Sequence, residues 1–112
     1  MSKMTNDEIR DFLLRGTYTG KLGTINKDET PHVVPIWYTV DKQDNVIFNT
    51  GSESVKAENI RRNNRVRLCV DDQTPLFSFV IIDGIAQIER HESSEIYKWA
   101  KIIAARYMGD DK

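Results

Sequence analysis

The sequence predicts a small, mainly β domain: a barrel of short antiparallel strands with flanking helices. Short apolar runs follow one another at close intervals between residues 18 and 89, and polar turn residues separate them. A capped helix precedes these runs, and a helical stripe of apolar residues follows them. Short strands with turns between them favour a barrel over a doubly wound sheet, in which strands alternate with long helices.

The two outer helices are predicted from capping and periodicity. Thr5 and Glu8 have the spacing of a capping box, and the helix that they begin should end before Gly16. A second helix should stop at Gly109. Its apolar residues recur every three to four positions and predict one buried stripe: Ile96, Trp99, Ala100, Ile103, Ala104 and Tyr107.

Strands are predicted where apolar and β-branched residues cluster, at 18–25, 31–40, 46–49, 65–70 and 76–89. The last run is either one long strand or a bent pair, with Asp83-Gly84 as the expected bend. A short helix at 53–63 joins the third and fourth runs. Pro35 cannot donate to a strand ladder, so it predicts an edge or a bulge in the second run.

Composition and charge exclude several classes of protein. The 112 residues are 39% hydrophobic and 29% charged, which fits one domain over residues 1–112. The net charge of −1 provides no basic field for nucleic acid. No apolar run approaches the roughly 20 residues that span a bilayer, and the N-terminus lacks a signal-peptide core. The single cysteine, Cys69, excludes an internal disulfide framework. We therefore expect a soluble, cytoplasmic protein.

The segment after the third strand has the features of a phosphate site. Thr50, Ser52 and Ser54 lead into the short helix, and Lys56 lies in its first turn. The free N–H groups of a helix start point outward and its dipole favours negative charge, while a lysine adds a full positive charge. The alternative is a serine-capped helix with a solvated lysine.

Four segments, in order, resemble the pyridoxamine 5'-phosphate oxidase-like superfamily of flavin-binding split barrels. They are LGTINKDETPHVVPIWY, VIFNTGSESVKAENIRRNNRVRLCVDD, PLFSFVIIDGIAQI and WAKIIAARYMG, and they cover the chain from Leu22 to Gly109. Within the superfamily the chain is most similar to the branch that uses the deazaflavin coenzyme F-420. The resemblance implies an antiparallel, Greek-key FMN-binding split barrel. It also implies an oxidoreductase that binds coenzyme F-420 or FMN between the subunits of a homodimer and transfers hydride to a small conjugated acceptor.

The resemblance also implies roles for single residues. Lys56 and its hydroxyl neighbours would hold the cofactor phosphate, and the strand from Pro35 to Tyr38 would lie against the ring system. Alternation sends Trp37 and Tyr38 to opposite faces, so one should lie near the ring and the other in the interior. The candidate cofactor-binding residues are Pro35, Ile36, Trp37, Asn49, Thr50, Ser54, Lys56, Arg61, Phe77, Ser78 and Arg106.

Two groups of these residues have simpler explanations. The segments at 77–79 and 99–107 resemble parts that approach the cofactor from the second subunit, but core packing already accounts for Phe79, Trp99 and Tyr107, whereas Arg106 lies off the helical stripe. The basic run has no interleaved aromatic residues and favours a solvated helix face over a nucleic-acid site. Its members are Lys56, Arg61, Arg62, Arg65 and Arg67. Arg61 or Arg62 could still contact a phosphate or an acidic cofactor tail.

No catalytic residue or metal site is predicted. His32, His91 and Cys69 share no ligand spacing, and nucleophile and nucleotide-binding motifs are absent from the sequence. This is expected where a redox cofactor carries the chemistry. A non-catalytic storage protein for a flavin, a deazaflavin or a tetrapyrrole, or a structural domain without cofactor, remains an alternative. No membrane partner is expected, and the sequence does not identify the small-molecule acceptor.

Family members usually continue past the RYMG-like segment into a further strand, whereas here only Asp110, Asp111 and Lys112 follow. We therefore expect either a truncated C-terminal end or a short relative with an unpaired strand edge. An open barrel of this size would expose apolar strand surface, which predicts a homodimer.

Overall fold

The computed structural model describes residues 4–51, 53–89 and 93–109. Within these ranges the chain forms three helices and six strands. They are α1 (Asn6–Leu14), β1 (Gly20–Ile25), β2 (Pro31–Ile36), β3 (Thr39–Val40), β4 (Val46–Ile47), α2 (Val55–Arg62), β5 (Arg65–Asp71), β6 (Phe79–Ile85) and α3 (Ser93–Met108).

Four strands form an antiparallel sheet in the order β2-β1-β5-β6, and β3 pairs with β4 in a separate hairpin. Leu22 on β1 pairs with Val34 on one side and Leu68 on the other, and Leu68 pairs with Ile82. Because side chains alternate along a strand, this row lies on one face of the sheet, the face that is buried. The predicted antiparallel sheet with flanking helices is confirmed.

Helix α1 and the β3–β4 hairpin cover that face. Thr5 begins α1 with the predicted capping box: its N–H donates to the Glu8 side chain at 2.8 Å, and the N–H of Glu8 donates to Thr5 Oγ1 at 3.2 Å. The hydrophobic core joins α1 to all four strands of the sheet and to β3. Its buried members are Phe12, Leu13, Leu22, Ile36, Tyr38, Val40, Leu68, Val70 and Val80.

Three strand predictions were wrong in extent. The run 31–40 is divided, because the chain leaves the four-stranded sheet at Trp37 and enters the hairpin at Thr39. The run 46–49 is a strand only over Val46–Ile47. The run 76–89 is a strand only over Phe79–Ile85, and it is the unbent alternative, since Asp83 and Gly84 both pair with β5. Pro35 lies on an edge strand, as predicted.

The predicted stripe of α3 is buried only in part. Ile103 is buried, but Ile96 is 48% exposed and Ala100 is also exposed, so the first half of the stripe lacks a covering element among the described residues. Gly109 follows α3 with φ of +88°, a conformation that favours glycine, and its N–H donates to Ala105 O. None of the helices in the described ranges is long and apolar enough to cross a membrane.

Candidate functional site

The first turn of α2 is built from the residues that predicted a phosphate site. Ser54 is the N-cap, and its Oγ accepts from the N–H of Ala57 at 3.2 Å. The same Oγ lies 2.7 Å from Thr50 Oγ1 on the segment that follows β4. Capping leaves the N–H groups of Val55 and Lys56 without an intrahelical acceptor, as at any helix start. Ser54 therefore shapes this turn, and the remaining donors face outward.

Lys56 is half-buried in this turn. It has no hydrogen-bond or ion-pair partner within residues 4–51, 53–89 and 93–109. Its neighbour Ala57 is fully buried, so α2 is packed against the rest of the protein directly beside the lysine. The ammonium group is thus available to an external anion. Ser52, also predicted for this cluster, lies outside the described residues.

Asn59 fixes α2 against β1, a role that sequence reasoning missed. The side chain is buried, and its Nδ2 donates to Thr24 Oγ1 and to Asn26 Oδ1, both at 3.0 Å. Arg62 donates to Asn59 Oδ1 at 2.7 Å and to the Ile25 carbonyl at 2.8 Å. The available signal was an asparagine in the middle of a short helix, where it is a poor helix former and needs another reason to be present.

Trp37 and Tyr38, the aromatic pair of the segment predicted to lie against the cofactor ring, directly follow β2. Trp37 is 43% exposed and Tyr38 is fully buried, so the prediction that one of the pair lies in the interior is confirmed. The indole of Trp37 stacks on the ring of Tyr107, with centroids 4.9 Å apart and planes 1° from parallel. This is the offset-stacked geometry that aromatic pairs favour.

Arg106 binds the protein's own backbone. Its Nη1 donates to Tyr38 O and its Nη2 to Leu13 O, both at 2.6 Å. The guanidinium also lies 4.7 Å from the ring centroid of Tyr38 and 5.0 Å from that of Tyr107. Burial raises the pKa of Tyr38, whose hydroxyl donates to Leu13 O at 2.7 Å, and the Arg106 charge opposes part of that rise. Arg106 thus joins α3 to the core, and its predicted cofactor contact stays a prediction.

Phe77 and Ser78 lie on the connection between β5 and β6. In the strand order β2-β1-β5-β6 this places them beside the edge strand opposite to β2, which carries Pro35 and leads to Trp37. Three strand spacings of about 4.8 Å separate these edges in a flat sheet, or about 14 Å. Phe77 is 63% exposed and Phe79 is 58% exposed, so the explanation of Phe79 by core packing was wrong: its side chain lies on the outer face of β6. The four-stranded sheet thus separates these two parts of the predicted site.

The remaining predicted residues, Ile36, Asn49 and Arg61, lie in three different environments. Ile36 is buried in the core, and Asn49 is exposed. Arg61 lines an open groove of about 740 Å³ between the end of α2 and residues 86–89. It follows Lys56 by five residues, or about 7.5 Å along the helix axis.

Arg67, part of the predicted basic run, pairs with an acidic residue on the neighbouring strand. Its Nε donates to Asp83 Oδ1 at 2.5 Å, and its Nη2 donates to Asp83 Oδ2 at 3.1 Å. These hydrogen bonds from Arg67 lower the pKa of Asp83. The charge of Arg67 is therefore balanced within the sheet. His91 lies outside the described residues.

Comparison with known proteins identifies the family. Residues 5–111 match the family model described as pyridoxamine 5'-phosphate oxidase. The chain belongs to this family. A curated relative, the 5a,11a-dehydrotetracycline/5a,11a-dehydrooxytetracycline reductase of Streptomyces rimosus, is 33% identical over an alignment of 81 positions that covers 66% of this chain and 57% of the relative.

Two solved structures support the fold of this family member. A hypothetical protein from Mycobacterium tuberculosis is 31% identical with a TM-score of 0.84, over 96% of this chain and 66% of the other. An F-420 reductase is 26% identical with a TM-score of 0.62, over 70% of this chain and 61% of the other. The predicted split-barrel fold is confirmed. The chain spans 57% to 66% of the lengths of these three relatives.

Proposed function

We propose that the chain is an oxidoreductase domain that binds a phosphorylated flavin-type cofactor, either coenzyme F-420 or FMN. The observation that carries the proposal is Lys56, which has no hydrogen-bond or ion-pair partner among the described residues. It lies in the capped first turn of α2, a helix with a buried face. The family assignment supports it, as do two relatives whose names describe reductases.

The donors at the start of α2 suit a phosphate group. An ammonium group and outward N–H groups at the positive end of a helix provide charge and hydrogen bonds for an anion. The acidic residue of this turn, Glu58, lines a groove with Asn26 and Asp28. Residues two apart on a helix point about 200° from each other, so the Glu58 carboxylate is directed away from Lys56.

The rest of the proposed site would orient the cofactor ring. Trp37 provides a flat, half-exposed surface. Thr50, whose Oγ1 lies 2.7 Å from Ser54 Oγ, and its neighbour Asn49 would provide backbone groups beside the first turn of α2. A bound flavin or deazaflavin would supply hydride transfer to a small conjugated acceptor. The chain's own residues would bind the phosphate, set the ring's orientation and exclude water from one side of it. Arg61 stays a candidate for the phosphate or an acidic cofactor tail.

We also propose that the site is completed by a second copy of the chain. Phe77 and Ser78 lie at the edge of the sheet opposite to Trp37, so contact with one ring is easier if they come from the partner subunit. The outer face of the sheet exposes apolar residues on both edge strands, which a partner would cover. They are Val33, Phe79, Ile81 and Ile85. Sedimentation should give a dimer at micromolar concentration, and a monomer would contradict this arrangement.

A parallel titration with FMN and coenzyme F-420, followed by fluorescence, tests the cofactor proposal. Wild type should bind one of them, Lys56→Ala should bind it at least about tenfold more weakly, as for a lost charged hydrogen bond, and Lys101→Ala on the exposed side of α3 should match wild type. Binding of neither cofactor would overturn the proposal. Tight binding without oxidation of the reduced cofactor by any acceptor would favour the storage alternative, for which haem is the further ligand to titrate.

A further inference from the structure

The break between β2 and β3 depends on side chains from α3. At Trp37–Tyr38 the backbone belongs to neither sheet, so its polar groups need other partners. The N–H of Tyr38 donates to Tyr107 Oη at 3.2 Å, and the carbonyl of Tyr38 accepts from Arg106 Nη1 at 2.6 Å. Two consecutive residues of α3 therefore satisfy both backbone polar groups of Tyr38.

Arg106 and Tyr107 also donate to backbone carbonyls in the N-terminal part of the chain. Tyr107 Oη donates to Tyr18 O at 2.8 Å, and Arg106 Nη2 donates to Leu13 O at 2.6 Å. Tyr38 Oη also donates to Leu13 O. Because Tyr107 is held by its hydroxyl, its ring has little freedom to turn away from Trp37.

The stacked pair leaves part of Trp37 exposed. Tyr107 lies parallel to Trp37 at a centroid distance of 4.9 Å and covers one face. Trp37 nevertheless stays 43% exposed. Because Tyr107 covers one face, a planar ligand that stacks on the indole would use the other face and extend the pair into a three-layer arrangement.

We infer that Arg106 and Tyr107 are positioning residues for Trp37: they fix the orientation of the indole and so set the wall on which the cofactor ring stacks. The identity of the ligand rests on the proposed function above, but the orientation of Trp37 can be measured without any ligand. Arg106 acts here through the backbone of Tyr38, and Tyr107 acts through both that backbone and the indole.

Trp37 fluorescence tests this inference in a Trp99→Phe background, because the chain has two tryptophans. Tyr107→Leu should shift the Trp37 emission to the red and increase its quenching by acrylamide. Tyr107→Phe and Arg106→Lys, which keep the aromatic ring or the charge, should give smaller changes in the same direction. Tyr97→Leu, at a position of α3 that is 67% exposed, is the matched control and should behave as the background protein.

The cofactor that wild type binds provides the second measurement. Tyr107→Leu should bind it about threefold to tenfold more weakly, the range expected for an aromatic stacking contribution, and Tyr97→Leu should not differ from wild type. Unchanged emission and quenching in folded Tyr107→Leu would overturn the inference, as would a displaced Trp37 with wild-type affinity. If circular dichroism shows that Tyr107→Leu does not fold, the Trp37 emission and quenching of Tyr107→Phe and Arg106→Lys test the inference instead, and values equal to the background protein would overturn it. If wild type binds neither cofactor, the proposed function fails, and the quenching data alone decide the positioning role.

Discussion

The first turn of α2 and the last turn of α3 each present a basic residue, but the two cations have opposite surroundings. Arg106 donates to two backbone carbonyls and lies over two aromatic rings. Lys56 has no such partner in the part of the chain that the structure describes. A cation bound to the protein's own carbonyls stabilises the fold, whereas a cation without partners is available to a ligand. The comparison predicts that Arg106→Ala mainly lowers stability, whereas Lys56→Ala lowers cofactor binding with little effect on stability.

The largest effect on stability is expected for Arg106→Ala. It removes two hydrogen bonds and leaves part-buried carbonyl groups of Leu13 and Tyr38 with fewer donors. We expect the free energy of unfolding to fall by about 2–3 kcal/mol, the range for breaking a buried charged hydrogen-bond network. Urea denaturation measures this. Lys101→Ala on the exposed side of the same helix is the control, and an equal midpoint for the two variants would contradict the assigned role of Arg106.

Local signals predicted much of the fold. The capping box of Thr5 and Glu8 predicted the start of α1, and the apolar and β-branched residues at 65–70 predicted β5. The division of the run 31–40 was missed because its cause is distant: the N–H of Tyr38 binds a hydroxyl 69 residues later in the sequence. No pattern within ten residues of Trp37 contains that information.

In the candidate site, too, neighbouring residues predicted some features, whereas contacts with distant residues determine others. Lys56 in the first turn follows from the predicted helix, and the structure has it there, but the helix was predicted from residue 53 and begins at Val55 with Ser54 as its cap. The partners of Arg106 lie 68 and 93 residues away, so the sequence could not distinguish an arginine bound to the backbone from one free to bind a cofactor.

A smaller, pH-dependent effect is expected at Tyr38. Burial raises the pKa of its phenol above the ordinary value of about 10, so the stability contributed by the neutral form is complete below that pH and is lost as the pH rises through the raised value. Tyr38→Phe should lower the free energy of unfolding by about 1 kcal/mol at pH 7, because a buried hydrogen bond is lost. Above pH 10 the variant should lose stability less steeply than wild type. Parallel alkaline slopes in urea titrations would disprove this.

Two substitutions of Ser54 should separate its role as helix cap from the binding of an anion at the same turn. Ser54→Ala should cost about 1 kcal/mol of stability because the cap of α2 is lost. Ser54→Asp should recover most of that stability, since aspartate also caps helices, but its negative charge should weaken the binding of a phosphorylated cofactor. Thermal unfolding and titration of the two variants measure both effects. Cofactor binding by Ser54→Asp equal to wild type would place the phosphate elsewhere.

The smallest effect on stability is expected for Lys56→Ala, within about 0.5 kcal/mol of wild type, because no described contact is lost. This variant gives the most direct test of the central claim, a phosphate site at the start of α2. The measurement is the affinity of wild type and Lys56→Ala for FMN and for riboflavin, the same ring without the phosphate. The account predicts that wild type prefers FMN and that Lys56→Ala loses most of this preference while its affinity for riboflavin is unchanged. An equal preference for FMN in both proteins would contradict it.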